Sequence, residues 1–269
     1  MITLANVELR TRGERSAEDY PCQRILGIRF FDGTACDAVG HISEHGGYTV
    51  VPAAPALVKP QYDADFRDAL SSADLAIADS GLMVLLWRLL RGRTIHRVSG
   101  LAYLKEVVEL PELREGSHQL FCILPSESAK TKALTWAHDR NLDLSEQDLY
   151  IAPRYGRQVA DERLIAILEQ RKPRHIIIGI GGGPQEKLGR YLRDHLSYRP
   201  AIHCIGAALG FLTGDQITIP NWADRFYLGW LLRLFAQPRV FIPRLSRALV
   251  LPWLILRYGS EMPPLRGSK

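Results

Sequence analysis

Residues 176–193, IIIGIGGGPQEKLGRYLR, constrain the fold more than any other stretch. An apolar, β-branched run gives way to Gly181, Gly182 and Gly183, and then to a helix-forming segment with Leu188 and Leu192 at helical spacing. That junction predicts a strand, a tight turn and a helix. Glycines permit positive φ and leave no side chain between backbone and ligand; Pro184 suits a first helical turn, and a helix N-terminus offers N–H groups to an anion. The turn therefore suits a phosphate, although the same glycines also serve simply to bend the chain and let helix pack on strand. Neither common nucleotide signature fits. A dinucleotide fingerprint needs a further glycine where Pro184 stands, and a Walker A loop needs a Gly-Lys-Ser/Thr ending.

The same unit recurs along the chain. ADLAIADSG reads as a strand ending at Asp79-Ser80-Gly81, followed by the apolar helix LMVLLWRLL that stops near Gly92. HQLFCILPS and HIIIGIGGG each lead into a helical segment, and AIHCIGAALGFLTG adds an apolar strand. Upstream, ILGIRFF (25–31) and YTVV (48–51) read as strands flanking a helix from Ala35 to Glu44 that Gly46-Gly47 ends. VPAAPALVKP reads as a loop, and Phe66 to Ser72 as a helix. Alternating strands and helices predict an α/β fold, a Rossmann-like parallel sheet flanked by helices, with ligands beyond the carboxyl ends of the strands. Asp79 falls at such an end. There a carboxylate can take a proton from a hydroxyl or hold a ribose or metal; alternatively it caps a helix beginning near Leu82.

The carboxyl-terminal third has another texture. From Trp222 onward aromatic and aliphatic residues interleave with Arg225, Arg233, Arg239, Arg244, Arg247 and Arg257, while acidic residues almost vanish. Such a stretch can lie on an anionic membrane face with Trp253, Leu254 and Leu256 dipping into the acyl boundary. It can equally form core-packing helices, or a nucleic-acid surface, which rests on charge alone. ALVLPWLIL is too short to span the roughly 20 residues a bilayer needs. The net charge of +5 fits an anionic partner. Cys22, Cys36, Cys122 and Cys204 are scattered without a CxxC pair, which points to neither zinc nor a disulfide scaffold, and to a reducing cytoplasm. The N-terminus lacks a signal-peptide core.

Taken in order, several segments resemble the WecB/TagA/CpsF glycosyltransferase family, glycosyltransferase family 26. They are Leu26-Gly27-Ile28; ADLAIADSGLMV; His96-Arg97-Val98-Ser99-Gly100; IGIGGGPQE; GAALGFLTGDQITIP; and GWLLRLFAQPRV. The resemblance implies an inverting transfer from a UDP-sugar donor to a polyprenyl-diphosphate-linked sugar in surface or extracellular polysaccharide synthesis, on a Rossmann-like fold. It implies Asp79 as catalytic base, and the glycine turn with Gln185 and Glu186 as a cradle for the donor. Arg233, Arg239 and Arg97 would stabilise the leaving UDP. It also implies three parts: an extension (1–24), an α/β domain (25–232) and a basic, membrane-associating appendage (233–269). The protein would then work in the cytoplasm, peripheral on the inner face of the plasma membrane. No Asp-x-Asp pair marks a metal site, so the expectation is metal-independent transfer without a cofactor; a homo-oligomer stays open.

The departures from the family pattern are as specific. Pro52 and Ala54 stand where the family has threonine and asparagine, Gly183-Pro184 where Pro-Lys is usual, and Ala102, Gly210 and Gly229 where it has acidic residues. These losses imply another donor sugar, with a plain hexose such as that of UDP-glucose expected, or a noncatalytic UDP-sugar-binding regulator on the same fold. A nucleotide-dependent oxidoreductase would need an acidic ribose-binding residue at the expected strand end, and none stands there.

Overall fold

The computed structural model describes residues 20–115, 118–206, 210 and 248–266. Eight strands form one sheet: β1 (Cys22–Ile25), β2 (Ile28–Phe31), β3 (Gly47–Val50), β4 (Leu75–Ile77), β5 (Leu120–Leu124), β6 (Leu149–Ile151), β7 (His175–Ile178) and β8 (Ala201–Cys204). Their order is β1-β2-β4-β3-β8-β7-β5-β6. β1 and β2 are antiparallel, and every other pairing is parallel. This is the α/β architecture expected. In register, Ile176 pairs with Phe121 on one side and Ile202 on the other.

Among the described residues the α-helices are α1 (Ala35–His45), α2 (Ala64–Ser71), α3 (Gly81–Arg91), α4 (Gly100–Val108), α5 (Pro111–Glu115), α6 (Glu127–His138), α7 (Glu162–Arg171), α8 (Pro184–His195) and α9 (Leu251–Tyr258). They cover both faces of the sheet. Because side chains alternate along a strand, Ile176 and Ile178 enter one core with Trp87 of α3, Leu188 of α8 and Leu254 of α9. Ile177 enters the other with Ile42 of α1, Tyr103 of α4 and Trp136 of α6. Burial on both faces is why β7 reads HIII without a polar interruption.

Three expectations needed correction. ILGIRFF is a hairpin rather than one strand: Leu26 and Gly27 take φ of +49° and +80°, the left-handed pair of a two-residue turn, and β1 folds back on β2 from Cys22. A boundary at 24/25 therefore falls inside β1. Most of VPAAPALVKP is a 3-10 helix (Ala54–Gln61), with Pro55 in its first turn. Leu254 is core rather than membrane face: with Leu251 and Ile255 it is fully buried, and α9 packs on α3. The chain beyond α9 is also fixed, since the Leu26 and Gly27 N–H groups donate to the carbonyls of Gly259 and Ser260 at 2.8 and 2.9 Å. Trp253 and Leu256 stay exposed. Among the described residues no helix is long and apolar enough to cross a membrane.

One polar chain crosses the second core. His175 Nδ1 lies 3.2 Å from His203 Nε2, His203 Nδ1 lies 2.8 Å from the Tyr103 hydroxyl, and that hydroxyl donates to Thr49 Oγ1 at 3.1 Å. Burial pushes the pKa of both histidines down. For His175, the Glu112 carboxylate at 3.5 Å partly opposes that shift.

Candidate active site

The carboxyl ends of β4, β3, β8 and β7 are consecutive along the sheet. β3 and β4 belong to the first half of the chain and β7 and β8 to the second, so the crevice of an open α/β sheet lies where these halves meet. Four short segments leave the sheet there: Asp79-Ser80 after β4, the 3-10 helix after β3, Ile205-Gly206 after β8, and the glycine turn after β7.

Asp79 is half-buried and folded tightly against its own strand, its N–H donating to the Ile77 carbonyl at 2.9 Å. It does not cap α3. Ser80 does so, accepting from Met83 N–H at 3.2 Å, and α3 begins at Gly81. The side chain of Asp79 instead reaches α4, where Oδ1 accepts from Gly100 N–H at 3.0 Å. The first turn of that helix favours a negative charge. Arg97 is brought to the same place, its Nε donating to the Asp79 carbonyl at 2.8 Å.

The segment that carries Arg97 is anchored by Asp32, a residue that no motif in the sequence marks. Asp32, just beyond β2, accepts from His96 N–H at 2.9 Å and from Gln23 Nε2 at 2.8 Å, and lies 2.7 Å from His96 Nδ1. Burial works against the Asp32 charge, but these donors outweigh it and hold the carboxyl below its ordinary range. Gln23 also donates to the Thr94 carbonyl and accepts from Trp87 Nε1. The segment leading into Arg97 is thus tied to the β1–β2 hairpin and to α3. An aspartate at a strand's carboxyl end, as at Asp79, was the available signal.

On the other side of the crevice, Gly181 and Gly183 have φ of +100° and +106°, which only glycine adopts without strain. A Cβ on Gly181 would meet nothing within 4 Å among the described residues. Glu186 and Gln185 point inward. Glu186 is 1% exposed; its Oε2 accepts from Gly183 N–H at 2.6 Å and its Oε1 from Gln185 Nε2 at 3.0 Å. Burial pushes its pKa up, against the opposing donors and the Lys59 ammonium nearby. Gln185 also donates to the Cys204 carbonyl at 3.3 Å, tying α8 to β8, while its Oε1 is buried without a hydrogen-bond partner. Glu186 thus takes the Gly183 N–H for the turn itself, whereas the N–H groups of Gly181 and Gly182 meet no acceptor among the described residues.

The structure therefore gathers Asp79 with Arg97, and Gly181–Gly183 with Gln185 and Glu186, at one edge of the sheet. Arg233 and Arg239 lie outside the described residues, as do Arg225, Arg244, Arg247 and Gly229. Pro52 and Ala54 are both buried, so the 3-10 segment presents no polar side chain at either position.

The sequence matches a family model described as the Glycosyl transferase WecG/TagA/CpsF family over residues 23–263. It is also similar to an N-acetylglucosaminyldiphosphoundecaprenol N-acetyl-beta-D-mannosaminyltransferase of Bacillus subtilis (strain 168). The two are 22% identical over 223 residues, covering 80% of this chain and 84% of that protein. A match running from the first strand past α9 takes in both halves of the crevice, and the chain belongs to the WecG/TagA/CpsF family of glycosyltransferases.

Proposed function

We propose that the protein is an inverting glycosyltransferase that moves a hexose or N-acetylhexosamine from a UDP-sugar to a polyprenyl-diphosphate-linked sugar in surface or extracellular polysaccharide synthesis. The observation that carries this reading is the placement of Asp79. Its carboxylate stands at the carboxyl edge of the sheet, where Oδ1 accepts from the first N–H of α4 while Arg97 donates to the backbone carbonyl of the same residue, across the crevice from the glycine turn. In the reaction, the acceptor hydroxyl oxygen attacks C1 of the donor sugar while Asp79 takes the hydroxyl proton. The bond from C1 to the phosphate oxygen breaks on the opposite face, which inverts the anomeric centre. The electron pair leaves with UDP, where fixed positive groups lower the barrier by meeting the growing charge. Arg233 and Arg239 are assigned this role by their position in the family pattern, whereas Arg97, which donates to the backbone carbonyl of Asp79, is assigned to hold Asp79 in place.

The relative from Bacillus subtilis is named for an undecaprenol-diphosphate acceptor and an N-acetylmannosaminyl group. The apolar character of Pro52 and Ala54 supports a donor whose N-acetyl group is not read, and we assign a plain hexose donor on that ground. The same loss supports a second reading, a noncatalytic UDP-sugar-binding regulator on this fold.

A lipid-linked acceptor calls for a membrane face. Leu85 and Leu89 on α3 and Leu249, Trp253 and Leu256 at α9 are exposed, Leu89 by 80% and Leu249 by 73%, and neither helix contains an acidic residue. With Arg88, Arg91 and Arg257, this surface suits an anionic bilayer at its inner, cytoplasmic leaflet. Because α9 is core, deleting 233–269 would strip buried side chains; exchanging Leu89 and Trp253 for glutamate tests the surface without doing so. The double variant should stay in solution when mixed with anionic liposomes that sediment the wild type.

The functional test is UDP release from a panel of UDP-sugars, with and without a polyprenyl-diphosphate-GlcNAc analogue. Acceptor-dependent release from UDP-glucose is expected. Preference for UDP-N-acetylmannosamine would overturn the hexose assignment, and UDP-sugar binding without release from any donor would favour the regulator.

A further inference from the structure

Lys59 is the cation of the crevice that the resemblance does not supply. It stands near the end of the 3-10 helix after β3, the same segment whose residues 52 and 54 are apolar. Its ammonium lies 3.4 Å from where a Cβ on Gly183 would be, directly over the glycine turn. Its position is set by packing: Nζ lies 5.5 Å from the ring centroid of Phe66, itself fully buried in the first core.

The nearby carboxylates are already engaged. Asp63 pairs with Lys187 at 2.9 Å and caps α2 through Phe66 N–H at 3.0 Å. Glu186 accepts from Gly183 and Gln185, and its burial favours the neutral form. Lys59 makes no ion pair among the described residues. A half-buried ammonium whose neighbouring carboxylates already have other donors, next to two N–H groups that meet no acceptor among the described residues, suits an anion. Gln185 Oε1, buried and without a hydrogen-bond partner, is a second open valence in the first turn of α8, 3.2 Å from where a Cβ on Gly206 would be.

We infer that Lys59, with the N–H groups of Gly181 and Gly182, forms a diphosphate subsite that holds the donor's pyrophosphate bridge against the glycine turn. The inference rests on the proposed transferase reading for the nucleotide attached to that bridge, but not for the anion itself. Functionally, the 3-10 segment contributes charge at residue 59 in place of hydrogen bonds at 52 and 54. The donor would be gripped by its diphosphate, which every UDP-sugar shares, more than by its sugar.

The test is calorimetric titration of the full chain and its Lys59→Met and Lys59→Arg variants with UDP, uridine and inorganic pyrophosphate, with melting temperatures recorded alongside. Lys59→Met should weaken UDP and pyrophosphate at least tenfold and leave uridine unchanged, and Lys59→Arg should restore most of the loss. UDP affinity within twofold of wild type in Lys59→Met at an unchanged melting temperature would overturn the inference. So would a wild type that binds neither UDP nor pyrophosphate. Lys59-dependent binding of pyrophosphate without any binding of UDP would uphold the anion subsite and sink the UDP-donor reading instead.

Discussion

The two sides of the crevice use a carboxylate in opposite ways. On the β4 side, Asp79 is half-buried and accepts from the N-terminus of a neighbouring helix at the carboxyl edge of the sheet. On the β7 side, Glu186 is 1% exposed and folds back on its own turn, accepting from the Gly183 N–H. An acidic residue near a ligand-binding turn is thus not by that fact a ligand-binding residue. What separates the two is whether their hydrogen bonds close a local loop, as between Glu186 and Gly183, or join separate elements, as between Asp79 and Gly100. The proposed base thus joins two elements, whereas Glu186 braces the turn expected to cradle the donor.

The comparison can be broken most easily at Glu186. Glu186→Ala leaves the Gly183 N–H and the Gln185 amide without an acceptor in the interior, and should cost about 3 kcal/mol of stability. Glu186→Gln keeps an acceptor and should cost markedly less, because burial already favours the neutral acid. Urea unfolding of both variants checks this; a stable Glu186→Ala protein that has lost all activity would reverse the two roles. Gly183→Ala places a side chain at φ +106° and against the Lys59 ammonium, so about 2 kcal/mol of destabilisation and a raised KM for the donor are expected. An unchanged KM would detach the turn from the donor.

The histidine pair gives a control remote from both carboxylates. Burial places the folded-state pKa of His175 and His203 below the ordinary histidine value of about 6.5. Below that value the unfolded chain takes up protons that the folded chain refuses. Stability should therefore fall as pH drops below about 6.5, at up to about 1.4 kcal/mol per pH unit for each histidine. Denaturant midpoints from pH 7.5 to 5 should show this slope, and His203→Gln should flatten it. The smallest effect is expected at Arg97, which orients Asp79 through its carbonyl. Arg97→Met should lower the transfer rate roughly fivefold, about 1 kcal/mol, with UDP affinity nearly unchanged. Loss confined to UDP affinity would move Arg97 from the Asp79 side to the donor side.

Much of this arrangement is legible in the chain, because its signals are local. The alternation of apolar runs, glycines and helical segments yields the parallel sheet, Gly92 ends α3, and the glycine triplet marks the turn before α8. What is not legible depends on partners distant in sequence. The Leu26–Gly27 turn hides inside an apolar run, because its backbone partners, Gly259 and Ser260, are distant in sequence. β6 is a three-residue edge strand, too short to show a period. Leu254 and Trp253 are equally apolar in sequence, and only the contact with α3 decides which is core. At the site, Asp79 is readable from its place after a strand, but its partner Gly100, the Asp32 anchor of the Arg97 segment, and the reach of Lys59 to Gly183 are tertiary facts.

The central claim, that Asp79 supplies the base and does not merely hold the donor, is tested most directly by Asp79→Asn. Acceptor-dependent UDP release and UDP-sugar affinity would be measured on the same samples as wild type. The account predicts a fall in rate of about 10²–10⁴-fold with affinity within a few-fold of wild type, since the amide keeps a hydrogen-bond acceptor for Gly100 and cannot take the proton. A variant that still transfers at near wild-type rate, or one whose whole loss is in donor affinity, would contradict it.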